Sequence, residues 1–112
     1  MDKGTKYLNK IVNVEIDRPL GSLHPTHNFE YKVNYGFIPN TVSGDGEELD
    51  AYVIGVNEPL KTFSGRVIAV VERLEEDDDK LVVVKDGDNY TNEEIEKLVE
   101  FQEKWKKHRI VR

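Results

Sequence analysis

The 112-residue sequence contains no cysteine, one methionine and one tryptophan. Without cysteine there is no disulfide framework, no thiolate nucleophile and no zinc–cysteine centre. No apolar run approaches the roughly 18 residues that cross a bilayer, so no membrane partner is expected. The opening stretch, MDKGTKYLNK, lacks the apolar core of a secretory signal, which makes the cytoplasm the expected compartment. Excess positive charge is missing too: 16 Lys and Arg face 22 Asp and Glu, for a formal net charge of -6. A field of that sign repels polyanions, so no nucleic-acid partner is expected. GxxxxGK[ST], GxGxxG and the GxSxG nucleophile elbow are all absent, which removes the commonest nucleotide-cradling and acyl-transfer chemistries.

What is present is the pattern of one soluble domain over residues 1–112, with 38% apolar and 34% charged residues. Ile11, Val12, Val14 and Ile16 nearly alternate and are β-branched, predicting a strand that ends at Ile16. Alternation resumes through Phe29, Tyr31, Val33 and Tyr35, and LDAYVIGV, RVIAVVERL and KLVVV read as three further strands. Thr91 with Glu94 forms a capping box, and Tyr90 with Ile95 a hydrophobic staple, so a helix is predicted from about Asn92. Its apolar side is expected to carry Ile95, Leu98, Val99, Gln102 and Trp105, with Glu and Lys opposite. HRIVR fits a short strand or a frayed tail. The expected fold is mainly β: a small five-stranded OB-like barrel with a C-terminal α-helix packed against it.

The loop SGDGEELD gathers Asp45, Glu47, Glu48 and Asp50 between two apolar segments. Gly44 and Gly46 permit turns that let these carboxylates converge. Converging carboxylates raise one another's proton affinity unless a cation offsets them, and hard oxygen ligands suit Mg²⁺ or Mn²⁺. A merely solvated acidic loop stays open as the simpler reading. EEDDDK, at a predicted hairpin tip, is also explained by blocking edge pairing. DGDNYTNEEIEK is no EF-hand, because its sixth position is not glycine and it ends on Lys97. His24 and His27 lack a third His or Cys nearby and suit the surface or an anion better than zinc.

NYGFIPNTVSGDGEELDAYV resembles the signature region of the soluble family I inorganic pyrophosphatases, with Asp45, Glu47 and Asp50 at the family's acidic spacing. The likeness extends from about Val12 to Lys107. Glu15 in VNVEIDRP matches an active-site glutamate, and Asp78 and Lys80 in DDDKLVVV match a metal-binding aspartate and a phosphate-binding lysine. In FQEKWK, Lys106 matches a phosphate-binding lysine and Trp105 replaces the family's tyrosine. Glu47 stands where the family has aspartate, and Arg73 where it has a further metal-binding aspartate, leaving Glu72 or Glu75 as substitutes. The first hairpin is shortened, so His24 registers with a lysine, and the family's arginine has only Arg18 or Lys32 as stand-ins.

The resemblance implies an inorganic diphosphatase acting on the small-molecule substrate pyrophosphate with Mg²⁺, or Mn²⁺ as a substitute. Asp45, Asp50 and Asp78 would hold metal, Glu47 would orient the attacking water, and Glu15 would add acidic support. Tyr35, Lys80, Lys106 and His24 would face the phosphates. Hydrolysis of another small phosphoanhydride, a catalytically weak metal- or phosphate-binding relative, and a single-strand-binding OB barrel are the alternatives, the last opposed by charge. A homo-oligomer is left open, since an isologous patch carries no sequence motif.

Overall fold

A computed structural model describes residues 2–112. After a 3-10 turn at Gly4–Tyr7 come β1 (Ile11–Arg18), β2 (Asn34–Ile38), β3 (Leu49–Val53), β4 (Thr62–Arg73), β5 (Asp79–Val84), α1 (Asn92–Glu103) and β6 (His108–Val111). The sheet runs β1-β2-β3-β5-β4-β6, and β1 also pairs with β4, which closes five strands into a barrel. Closure depends on the length of β4. Thr62–Arg66 pairs with β1, while Val70–Arg73 on the same edge pairs with β6. A register shift between Val67 and Ala69 bends the strand along β5, so one strand serves both neighbours.

Alternation divides the apolar residues between two faces. Leu49, Ala51 and Val53 of β3, with Leu81 and Val83 of β5, join Val12, Val14 and Val67 in the barrel interior. Tyr52, Ile54, Val82 and Val84 point outward and pack beneath Ile95 and Val99 of α1. Because both faces are covered, these strands read as continuous apolar runs rather than as clean alternation. Gly36 shows how close the strands lie: an added Cβ would come 1.8 Å from the carbonyl oxygen of Glu15.

The mainly β barrel with its late helix is as expected, and the Thr91–Glu94 capping box is formed in both directions. Three details differ. HRIVR is a sixth strand, held by β4 outside the barrel. The second strand begins at Asn34, not Phe29, because Tyr31 exchanges hydrogen bonds with Gly21 and Ser22 inside its own loop. That loop is pinned by the buried Asn34 side chain, which accepts from the amides of Leu20 and Leu60 and donates to Glu58 O. Lastly, α1 ends at Glu103, so Trp105 lies past the helix and is 60% exposed, whereas Glu103 is fully buried. Ile95, Val99 and Glu103 recur every four residues and share the buried side.

Candidate active site

The outward row of the barrel continues past the apolar core into polar residues, and there a cleft of about 850 Å³ opens. Its floor comes from Tyr35 on β2, Asp50 on β3, Arg73 on β4 and Lys80 on β5. The parallel ladder of β3 and β5 sets Asp50 opposite Lys80. Lys80 is 2% exposed, and its Nζ donates to Asp50 Oδ2 at 2.7 Å and to both carboxylate oxygens of Asp78 at 3.1 and 3.2 Å. The same ammonium lies 5.6 Å from the centroid of the Tyr35 ring. Burial raises the Tyr35 pKa well above its ordinary value, and the charge of Asp50 and a hydrogen bond to it add to the effect. Its hydroxyl is therefore held as a donor. Burial also raises Asp78, with Asp50 adding repulsion, although Lys80 and Arg73 pull the other way.

Behind the floor, Arg73 grips Glu103 with Nε at 3.1 Å and Nη2 at 2.9 Å, and reaches Asp78 with Nη1 at 3.3 Å. Tyr52 donates to Glu103 Oε2 at 2.5 Å and accepts from Gln102 Nε2 at 2.7 Å. Burial disfavours the charges on both Glu103 and Arg73. Their mutual hydrogen bonds outweigh it, leaving the Glu103 carboxyl below its ordinary pKa and the Arg73 guanidinium above. This network ties the end of α1 to β4 and supports Asp78 from behind.

At the mouth lie Asp17, Arg18, His24, His27, Asn28 and Lys106, with an aromatic wall of Phe29, Tyr31 and Trp105. Lys106 pairs with Glu76 at 2.6 Å. Burial lowers His24, and nearby His27 and Arg18 act in the same direction; its Nδ1 faces the amides of Thr26 and His27. Burial raises Asp17.

Asp50, Asp78, Lys80 and Tyr35 therefore meet, and Lys106 and His24 flank them. Asp45, Glu47 and Glu15 do not join them: all three are exposed and outside the residues lining the cleft. The Asp45 carboxylate accepts from Ser43 Oγ and from the Glu47 amide, bonds that lower its pKa. Gly46, at φ 87°, makes the turn between them. Among the described residues, no group of three His, Cys, Asp or Glu side chains is assembled for a metal.

The sequence pattern of the inorganic pyrophosphatases matches residues 7–110. This chain belongs to that family. A pyrophosphatase from Haemophilus influenzae is 38% identical over 77 residues, covering 64% of this chain and 43% of its own length. One from Nostoc sp. is 41% identical over 66 residues, covering 53% of this chain and 37% of its own length. The matches thus take in well under half of these curated relatives. Among solved structures, the Ehrlichia chaffeensis pyrophosphatase superposes with a TM-score of 0.69 at 20% identity, over 90% of this chain and 84% of that one. The Neisseria gonorrhoeae enzyme superposes at 0.62 with 28% identity, over 79% and 69%.

Within this pyrophosphatase-family barrel, Arg73, Glu103, Asp17 and the aromatic wall were not picked out as site residues by sequence. Glu103 carried one usable signal, its four-residue spacing from Ile95 and Val99. Asp17 carried another, as the acidic end of a strand whose partner leads into the cleft.

Proposed function

We propose that the cleft hydrolyses inorganic pyrophosphate to two orthophosphates with the aid of a divalent cation, Mg²⁺ first and Mn²⁺ as a substitute. The observation that carries this reading is the buried Lys80 ammonium held between Asp50 and Asp78 at the floor of the cleft, in a chain of this family. The charge inventory supports the need for a cation. Arg18, Arg73, Lys80 and Lys106 face the carboxylates of Asp17, Asp50, Glu76, Asp78 and Glu103, so the cleft by itself is not cationic enough for a multiply charged anion. The donors present fit Mg²⁺, which typically takes about one or two carboxylates, keeps several waters and shares the rest with substrate phosphates. Asp50 and Asp78 would be these donors, while Asp45, exposed and outside the cleft, would add a third only if its glycine-flanked loop turned inward.

A cation so held supplies charge against the phosphates and makes a bound water more acidic. The chain does the rest. Lys80 and Lys106 place positive charge on the phosphate oxygens, Tyr35 donates a hydrogen bond, and His24 faces the anion from the mouth. The water-orienting role expected of Glu47 would require the same inward turn of its loop, and the acidic support expected of Glu15 has no geometric backing, since Glu15 is exposed on β1 outside the cleft. The water oxygen attacks one phosphorus, and the bridging oxygen leaves with the other phosphate. We assign this activity to the cytoplasm.

Release of orthophosphate from pyrophosphate with Mg²⁺ tests the reading, in wild type, Asp50→Asn and Glu47→Gln. Metal-dependent turnover that Asp50→Asn abolishes is expected; purified wild type without turnover sinks the proposal. Full activity in Glu47→Gln would remove that residue from the water-orienting role. One observation favours a second reading, a relative that binds phosphate with little turnover: Asp78 is already neutralised by both Lys80 and Arg73. Calorimetric binding of orthophosphate without metal, paired with absent turnover, would establish it.

A further inference from the structure

The cleft is larger than its phosphate-facing floor requires, and the surplus is aromatic. Pyrophosphate is a compact anion with no apolar surface, whereas about 850 Å³ lies within the range that holds drug-sized ligands. Beside Lys80, the Tyr35 ring leads to Tyr31 at 5.4 Å between centroids, Tyr31 to Phe29 at 5.6 Å, and Phe29 to Trp105 at 5.5 Å. His27 stacks nearly parallel to Phe29, at 8°. The row runs from the buried cation to an indole that is 60% exposed. Lys104 Nζ sits 4.6 Å from the Trp105 centroid, adding positive charge at the outer end. Asn28 also lines the mouth and offers both a donor and an acceptor.

Cations at one end, an aromatic wall at the other and an amide beside it match a phosphoanhydride that carries a planar, hydrogen-bonding ring. We propose that the cleft accepts a nucleoside 5′-diphosphate, its two phosphates at Lys80, Arg73 and Lys106 and its base against Trp105, Phe29 and His27. The inference rests on the reading of the floor as a phosphoanhydride site. The reaction is the same displacement. Water adds its oxygen to the terminal phosphorus, the bond from that phosphorus to the bridging oxygen breaks, and the products are orthophosphate, a nucleoside monophosphate and one proton. Base stacking on an aromatic side chain tolerates any base, so selectivity among bases is expected to be low.

Trp105 is the chain's only tryptophan, so its fluorescence reports on the proposed contact directly. The titration uses adenosine 5′-diphosphate and uridine 5′-diphosphate with Mg²⁺, followed by displacement with inorganic pyrophosphate, and turnover of each is read as orthophosphate release. Saturable quenching by both nucleotides, reversed by pyrophosphate, is expected. By calorimetry, Trp105→Ala should weaken nucleoside-diphosphate binding relative to pyrophosphate binding by about 5–150-fold, the change that corresponds to losing one stacked base. Phe29→Leu, which keeps an apolar side chain in the wall, should shift the same ratio in the same direction. Pyrophosphate binding and turnover with no response to either nucleotide overturns the inference and leaves the floor's reading intact. Nucleotide binding with no pyrophosphate turnover overturns the reading and keeps the binding site. Trp105 emission that changes on dilution while nucleotides have no effect means that a second copy covers the wall, and this also overturns the inference.

Discussion

Replacing Glu103 with glutamine tests whether one buried charge holds both the helix and the site. The substitution keeps the volume but removes the charge and turns one acceptor oxygen into a donor facing Arg73 or Tyr52. Glu103 is fully buried and the Arg73 side chain is 10% exposed, so solvent screens their pairing little. Removing one partner of such a pair costs about 3–5 kcal/mol, because the other charge is left buried. A domain of this size has only about 5–15 kcal/mol in total. At about 4 °C per kcal/mol, Tm should fall by about 12–20 °C, read by circular dichroism at pH 7 and checked by urea midpoint. Arg73→Leu with Glu103→Leu should recover most of the loss, since replacing the whole pair by apolar residues leaves no uncompensated charge. The acid limb gives a second reading. The folded Glu103 carboxyl titrates below its ordinary value of 4.5, so its contribution is present above that value and is lost as pH falls through the folded pKa. Asp78 is shifted upward, and its ionisation detracts from stability as pH rises through its folded pKa. Comparing wild type with Glu103→Gln isolates the Glu103 part: the variant's acid limb should be flatter. A variant within about 1 kcal/mol of wild type at pH 7 would refute the assignment of a paired, buried charge, whose removal costs several times more.

Lys80→Met should reduce orthophosphate release by about 10²–10³-fold, the usual cost of losing one preorganised donor, in protein whose circular dichroism remains folded. Chelation of divalent ions should abolish turnover, and Mg²⁺ should restore it in full, which a dialysis and add-back assay checks. Gly36→Ala should cost at least about 3 kcal/mol in a urea melt, since its Cβ would meet backbone rather than a side chain able to move.

The strands were legible because β-branched runs and turn residues mark them, and the helix because Thr91 and Glu94 form its cap. The strand that was misplaced, beginning at Asn34 instead of Phe29, failed for a reason outside local pattern. Tyr31 alternates like a strand residue but finds its hydrogen bonds within the 19–33 loop. In the candidate site, Asp50, Asp78, Lys80 and Tyr35 stood out in the sequence and do come together. The exposed positions of Asp45 and Glu47 were not legible, since nothing in the spacing of the acidic loop specifies which way it turns, whereas the exposure of Glu15 follows from its alternation with the buried Val12 and Val14 of β1. Arg73 paired with Glu103 was hidden for a different reason. Thirty residues separate them, Arg73 taken alone looks like an ordinary surface charge, and the spacing of Glu103 from Ile95 and Val99 marks its burial but not its partner.

The parallel pairing of β3 with β5 also bears on how the chain folds. Asp50 and Lys80 become neighbours only after the chain has run through β4 and turned back as β5, which pairs between β3 and β4, so no local hairpin can bring them together. Non-local pairings of this kind form late, because the loop must close before the contact is gained. Catalytic competence should therefore trail secondary structure during refolding, making recovered turnover a clock for barrel closure.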